Sequence, residues 1–193
     1  MAITIHEYAH GRMAYYFGDA TAKRMGRLSL NPIHHLDPIG TIALLLFGFG
    51  WAKPVPINPY NFRDYRSGMI WVSFAGPLAN FILALVSLFL LYIPVKAGFI
   101  SMPYIKFMET LAVFNVLLGV FNLIPVPPLD GSKILASLAP DNIASLFRQI
   151  EPYAPIILMV LIFSGAIGRI IVPLFQYMYN AMETLVLLVL GLP

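Results

Sequence analysis

The sequence predicts an all-α polytopic membrane protein with a short re-entrant or β-hairpin insertion, and three observations carry that prediction. Of the 193 residues, 59% are hydrophobic and 11% charged, whereas soluble domains run about half apolar and about a quarter charged. Apolar runs at 69–93, 104–124, 154–172 and 173–192 approach or exceed the roughly 20 residues that a bilayer-crossing helix needs. The cations fall in loops between those runs, as topology signals do, and form no basic stripe interleaved with aromatics. The net charge of +3 and pI near 9.2 therefore point to the lipid bilayer as partner and away from nucleic acid. With no cysteine, disulfides and thiolate chemistry are excluded. The length fits one domain spanning residues 1–193.

Residues 1–17 read as a helix built around His6-Glu7-Tyr8-Ala9-His10. Residues four apart share a helical face, so His6 and His10 can grip one metal ion together. Glu7 lies one step around from His6. A carboxylate there reaches a metal-activated water without filling the coordination sphere, which is the position a general base needs.

Gly18 to Pro38 is polar and turn-rich, with a strand-like alternation at Arg27-Leu28-Ser29-Leu30. Gly40 to Trp51 is apolar but too short to cross a bilayer, and reads as a re-entrant piece or part of a small sheet. Ala52 to Gly68 holds Pro54, Pro56 and Pro59 and reads as a loop.

The span 69–93 contains Gly76-Pro77, which predicts a kink, and Asn80. Asn80 reads as an interhelical hydrogen-bonding residue, with a catalytic role as the alternative. The span 104–124 must stop before Pro125, Pro127 and Pro128. Asp130 follows on that proline-fixed turn, either as a functional carboxylate at membrane depth or as the N-cap of the next helix. Pro140 to Pro152 reads as a polar linker. The last two apolar runs carry only Arg169 and Glu183 as charges.

Counting crossings brings Asp130 to the end of the bundle that His10 faces. His6, His10 and Asp130 with an open fourth position make a catalytic-type zinc site, with Glu7 beside it. Arg12, Lys23, Arg24, Arg27, Lys53, Arg63, Arg66, Lys133 and Arg148 fall on that side, against Lys96, Lys106 and Arg169 opposite. By the positive-inside rule the site faces the cytoplasm.

His6–Gly11 (HEYAHG) on one apolar helix, Gly76–Asn80 (GPLAN) on a second and Asn122–Gly131 (NLIPVPPLDG) after a third resemble the site-2 protease family of intramembrane zinc metalloproteases. The likeness is to its compact prokaryotic members without PDZ or CBS modules. It covers most of residues 5–135 and implies a helical membrane core of six helices. The resemblance implies that His6, His10 and Asp130 hold one Zn2+ and that Glu7 is the general base. It gives Asn122 a role in substrate binding or oxyanion stabilisation, with a helix–helix hydrogen bond as the alternative; Asn115, two turns earlier, reads as packing. His35 matches a position of the family's linker, where a turn or supporting role competes with a ligand role, and the role of His34 stays open.

The implied function is hydrolysis of a peptide bond within or near a transmembrane segment of a single-pass membrane substrate. The strand-like pieces at Leu28–Leu30 or Gly40–Gly50 would receive the unwound segment. The alternative is a noncatalytic zinc-binding carrier or scaffold, which would spread polar residues through both membrane halves. Here they concentrate at one end. Relatives place a helix before the motif helix, whereas only Met1 to Ile5 precede His6. Five residues supply about 7.5 Å of helix against a core of roughly 30 Å. The expectation is therefore a native chain with roughly 30 to 45 further residues upstream.

Overall fold

The computed structural model describes residues 1–47, 50–99 and 101–192. Among them the chain is helical, with no strand and one isolated bridge, Leu36 to Ala52. The helices are α1 (Ala2–Tyr16), α2 (Thr21–Arg24), α3 (Pro38–Phe47), α4 (Tyr65–Lys96), α5 (Met102–Asn122), α6 (Asp130–Leu138), α7 (Asp141–Ile150), α8 (Ala154–Phe163) and α9 (Ala166–Leu190). By length and composition alone, Tyr65–Lys96, Met102–Asn122, Asp141–Phe163 and Ala166–Leu190 are candidate membrane spans. The protein is a multi-pass, all-α membrane protein.

The central post is α4, which packs against α1, α5, α6 and α9. At 1.5 Å per residue its 32 residues reach about 48 Å. Asp64 starts it as N-cap: the Ser67 N–H donates to Asp64 Oδ1 at 3.2 Å and the Ser67 hydroxyl to Oδ2 at 2.7 Å. Pro77 sits inside this helix without ending it. Leu78, Ile82, Val86 and Leu90, spaced by four, are exposed on one stripe of α4. In a bilayer that stripe meets lipid.

The two long helices beside α4 lock to its C-terminal half. Leu88 and Leu91 of α4, Ala112 of α5 and Val186 of α9 form one buried cluster. Ala84, Val116 and Val120 form another, against Phe175 and Met178 of α9. Ile124 and Leu129 bury with Leu158 of α8 and Ile167 of α9. Beyond Val186, Lys96 Nζ at the far end of α4 donates to the Leu190 carbonyl. Helix α9 therefore runs parallel to α4, from the Asp130 end of the bundle to the Lys96 end.

That direction corrects the crossing count for the last part of the chain. Asp141 pairs with Arg66 at 2.9 Å, and Leu158 packs on Ile124 and Leu129, so α7 and α8 begin and end in the same half of the bundle. The break between the last two apolar helices falls at Gly165, which has a φ of 73°, and Pro173 lies inside α9. Arg169 consequently belongs to the Asp130 end. The supposed linker at 140–152 is largely helix α7.

The β-hairpin half of the predicted insertion is corrected as well. Leu28 to Leu30 alternates as a strand does, but the described chain offers it no partner strand. The first ten residues of the apolar stretch after Asp37 form helix α3 instead. Gly48 and Phe49, within the Gly40–Gly50 stretch proposed as strand-like, lie outside the described residues.

Candidate metal centre

Two helices position the histidines. His6 and His10 stand one turn apart on the buried face of α1, and that face lies against Val72, Gly76 and Asn80 of α4, which are again four apart. His10 Nδ1 donates to the Val72 carbonyl at 2.7 Å. His6 Nδ1 lies 2.7 Å from Asn80 Oδ1. Asn80 Nδ2 donates to the Ala2 carbonyl at 3.1 Å and to Asn115 Oδ1 at 2.8 Å, which turns its oxygen toward His6. Asn115 Nδ2 in turn donates to the Leu111 carbonyl at 2.7 Å. Both imidazoles thus carry their proton on Nδ1 and present a bare Nε2.

The third group arrives on the turn after α5. Asp130 is the first residue of α6, whose N-cap is Leu129, so its carboxylate does not cap that helix. Gly131 makes the placement possible: a Cβ on it would stand 2.2 Å from the Leu123 carbonyl oxygen. Asp130 Oδ2 lies 3.2 Å from His6 Nε2 and 3.1 Å from His10 Nε2, and the two Nε2 atoms are 2.9 Å apart. Lys133 Nζ stands 3.5 Å from the other carboxylate oxygen.

This donor set fits a metal. Three buried lone-pair atoms face one another, and Asp130 Oδ2 has no hydrogen-bond partner. Such a convergence of acceptors is repulsive without a cation between them. A tetrahedral zinc with ligand bonds near 2.0 to 2.1 Å separates its ligand atoms by about 3.3 Å, close to the spacing seen here. Three protein donors would leave a tetrahedral zinc one position open for water or substrate. Gly76, at the α1–α4 contact, lies about 16 Å along α4 from its start, which sets the centre below one end of the helix.

Glu7 is half-buried next to His6, and its Oε2 accepts the Val55 N–H at 2.8 Å. Asn122 ends α5, and its Nδ2 donates to the Leu118 carbonyl at 3.0 Å within its own helix, so the structure does not join it to the three converging residues. His35 is buried on the turn Pro32–His35, where its Nε2 donates to the Ser29 carbonyl at 2.7 Å. It is not in the ligand group. Reading the sequence gives close helix packing to the glycine and Asn80 of this stretch, but it missed the grip of Asn80 on His6, its backing by Asn115 and that the histidines are what Gly76 packs against. The visible signal was the spacing Val72-Gly76-Asn80, a glycine and an amide on one stripe of an apolar helix.

The model of peptidase family M50 matches residues 95–167, the part of the chain that includes Asp130. The Bacillus subtilis protein named "Putative zinc metalloprotease YwhC" is 44% identical over 166 residues, covering 83% of this chain and 76% of that protein. "Putative zinc metalloprotease Rip2" of Mycolicibacterium smegmatis is 29% identical over 178 residues, covering 88% of this chain and 66% of Rip2. "Zinc metalloprotease MJ0392" of Methanocaldococcus jannaschii is 28% identical over 138 residues, which are 72% of this chain and 32% of the archaeal protein. No solved structure matches. With its metal-ligand geometry, its apolar helices and this identity to YwhC, the chain belongs to peptidase family M50, the site-2 protease family of zinc metalloproteases.

Proposed function

We propose that the protein is an intramembrane protease that hydrolyses a peptide bond within or near a transmembrane segment of a single-pass membrane protein. The observation that carries this reading is the convergence of His6, His10 and Asp130 on a buried point beside Glu7 and partway along a membrane helix. In it, His6 Nε2, His10 Nε2 and Asp130 Oδ2 would hold one zinc ion. When bound, zinc would supply Lewis-acid polarisation of a water molecule, bringing its proton within reach of a base near neutral pH. Glu7 would take the proton of the attacking water as its oxygen adds to the scissile carbonyl, and would hand it to the amine nitrogen as the C–N bond breaks. Asn80 and the Val72 carbonyl keep both imidazoles in the tautomer that ligation requires. Asn122, eight residues before Asp130 in sequence, is the candidate to contact the scissile peptide, once its amide leaves the Leu118 carbonyl.

The site end of the bundle carries ten of the twelve cations, with only Lys96 and Lys106 at the other end. This asymmetry supports a cytoplasmic placement of the site. The discriminating experiment pairs a zinc assay with a cleavage assay on Glu7→Gln, using reconstituted protein and a panel of single-pass model substrates. A protease keeps its zinc and loses cleavage. Normal cleavage by Glu7→Gln would refute the assignment of the base, and a noncatalytic carrier would be indifferent to the change.

A further inference from the structure

The segment from Trp51 to Asn58 crosses α1 at Glu7 as extended chain. Pro54 and Pro56 have no N–H, and each holds the residue before it extended. The Val55 N–H is therefore the one backbone donor between Lys53 and Ile57. This strap is fixed on both sides of that donor. The Lys53 N–H donates to the His35 carbonyl at 2.9 Å. Arg27 Nη2 donates to the Lys53 and Pro54 carbonyls at 2.9 and 3.2 Å, and the Asn58 N–H to Asp19 at 2.7 Å. The buried Val55 side chain sits over Gly11, one turn beyond Glu7 on α1, where a Cβ would meet Val55 Cγ1 at 3.0 Å. From this seat the Val55 N–H donates to Glu7 Oε2 at 2.8 Å.

We propose that the Val55 backbone N–H positions the general base. It holds one carboxylate oxygen of Glu7 and leaves Oε1 to take the proton of the attacking water. The inference rests on Glu7 being that base. A glutamate side chain free to rotate must be ordered at each turnover, and a charge-assisted hydrogen bond to fixed backbone does that ordering beforehand. Val55 is thus a positioning residue, acting through Glu7.

The test replaces the Val55 amide by an ester, through incorporation of 2-hydroxy-3-methylbutanoic acid at position 55. This deletes the N–H and keeps the side chain. The full zinc-loaded chain is assayed on a single-pass model substrate whose cleavage requires Glu7. The ester lowers kcat by about tenfold or more at unchanged zinc content, with KM within about twofold, the pattern of a contact that matters in the transition state. Val55→Ala, which loses packing and keeps the N–H, loses less of kcat than the ester. A second readout needs neither metal nor substrate. Val55 carries the only exchangeable backbone amide in Pro54–Pro56, and in metal-free protein its hydrogen exchange is slower in wild type than in Glu7→Ala, by about tenfold for a bond worth about 1.4 kcal/mol. Wild-type kcat in the ester, or equal Val55 exchange in wild type and Glu7→Ala, overturns the proposal. If the ester protein does not fold, the exchange comparison decides. Should Glu7→Gln itself cleave normally, the proposed function fails, while the exchange result still reports whether the contact exists.

Discussion

Gly76 lies so close to His10 that a Cβ built on it would stand 2.5 Å from the imidazole Nε2, and 2.6 Å from Cε1 of His6. No side chain fits between α4 and the two histidines. Gly76→Ala must push α1 away or swing both rings off their positions. Overpacking of this kind costs about 1 to 3 kcal/mol, and loss of ligand support typically costs 10- to 100-fold in metal affinity. The expected result is a folded protein with zinc affinity lowered about 10- to 100-fold by competition with a chelator. Wild-type affinity would show that the helices separate freely at this contact.

Asn80→Ala removes the acceptor for His6 Nδ1 and leaves Asn115 Oδ1 without its donor, all in a buried setting. An unsatisfied buried polar group costs about 1 to 3 kcal/mol. Zinc affinity should fall by about one to two orders of magnitude and thermal stability should drop with it. Asn115→Ala acts one step further away and should weaken zinc binding less than Asn80→Ala. The reverse order would contradict a relay running from Asn115 through Asn80 to His6.

The parts of the site that could be read from sequence are those set by local spacing. His6 and His10 are legible because a helix repeats its faces every fourth residue, and Asp130 because three prolines must end α5 just before it. Asn80 was legible as an interhelical hydrogen bonder, but its partner was not, since nothing local pairs α4 with α1. The direction of α9 was hidden for a related reason. A crossing count assumes that each apolar run spans the bilayer, whereas α8 is only ten residues long and packs on Ile124 and Leu129. Leu28-Ser29-Leu30 has the alternation of a strand, but a strand also needs a partner edge, which its own sequence cannot specify.

Asp130→Ala reduces three ligand atoms to two, so zinc occupancy after chelator challenge should fall steeply. Asp130→Asn keeps one neutral oxygen donor and should retain part of it. His35→Ala leaves the ligand group intact, because His35 is spent on the Ser29 carbonyl, and zinc content should stay at the wild-type level. Full occupancy in both Asp130 variants would place the third ligand elsewhere. Loss of zinc in His35→Ala would make that residue the first alternative.

Asp19, just past the end of α1, ties the loop after Pro56 to the motif helix. Its Oδ1 accepts from the Thr21 N–H at 3.0 Å, the Thr21 hydroxyl at 2.5 Å and Asn61 Nδ2 at 2.7 Å. Its Oδ2 accepts the Asn58 N–H at 2.7 Å. Burial pushes the Asp19 carboxyl up, but these donors outweigh it and hold the group below the ordinary carboxylate range. A carboxyl whose folded pKa lies below its unfolded value of about 3.9 stabilises the fold above that pH, and the stabilisation is lost as pH falls through the folded value. Asp19→Ala should therefore destabilise the protein by about 1 to 3 kcal/mol near neutral pH, the cost of leaving buried donors unpaired. The gap in melting temperature between wild type and Asp19→Ala should be widest near pH 7 and narrow below about pH 4. Asp19→Asn keeps acceptor oxygen but cannot ionise, so its melting temperature should fall between the other two near neutrality. Thermal unfolding in detergent across that range checks both statements. A gap that stays constant down to about pH 3 would mean that the carboxylate charge contributes nothing to holding the loop.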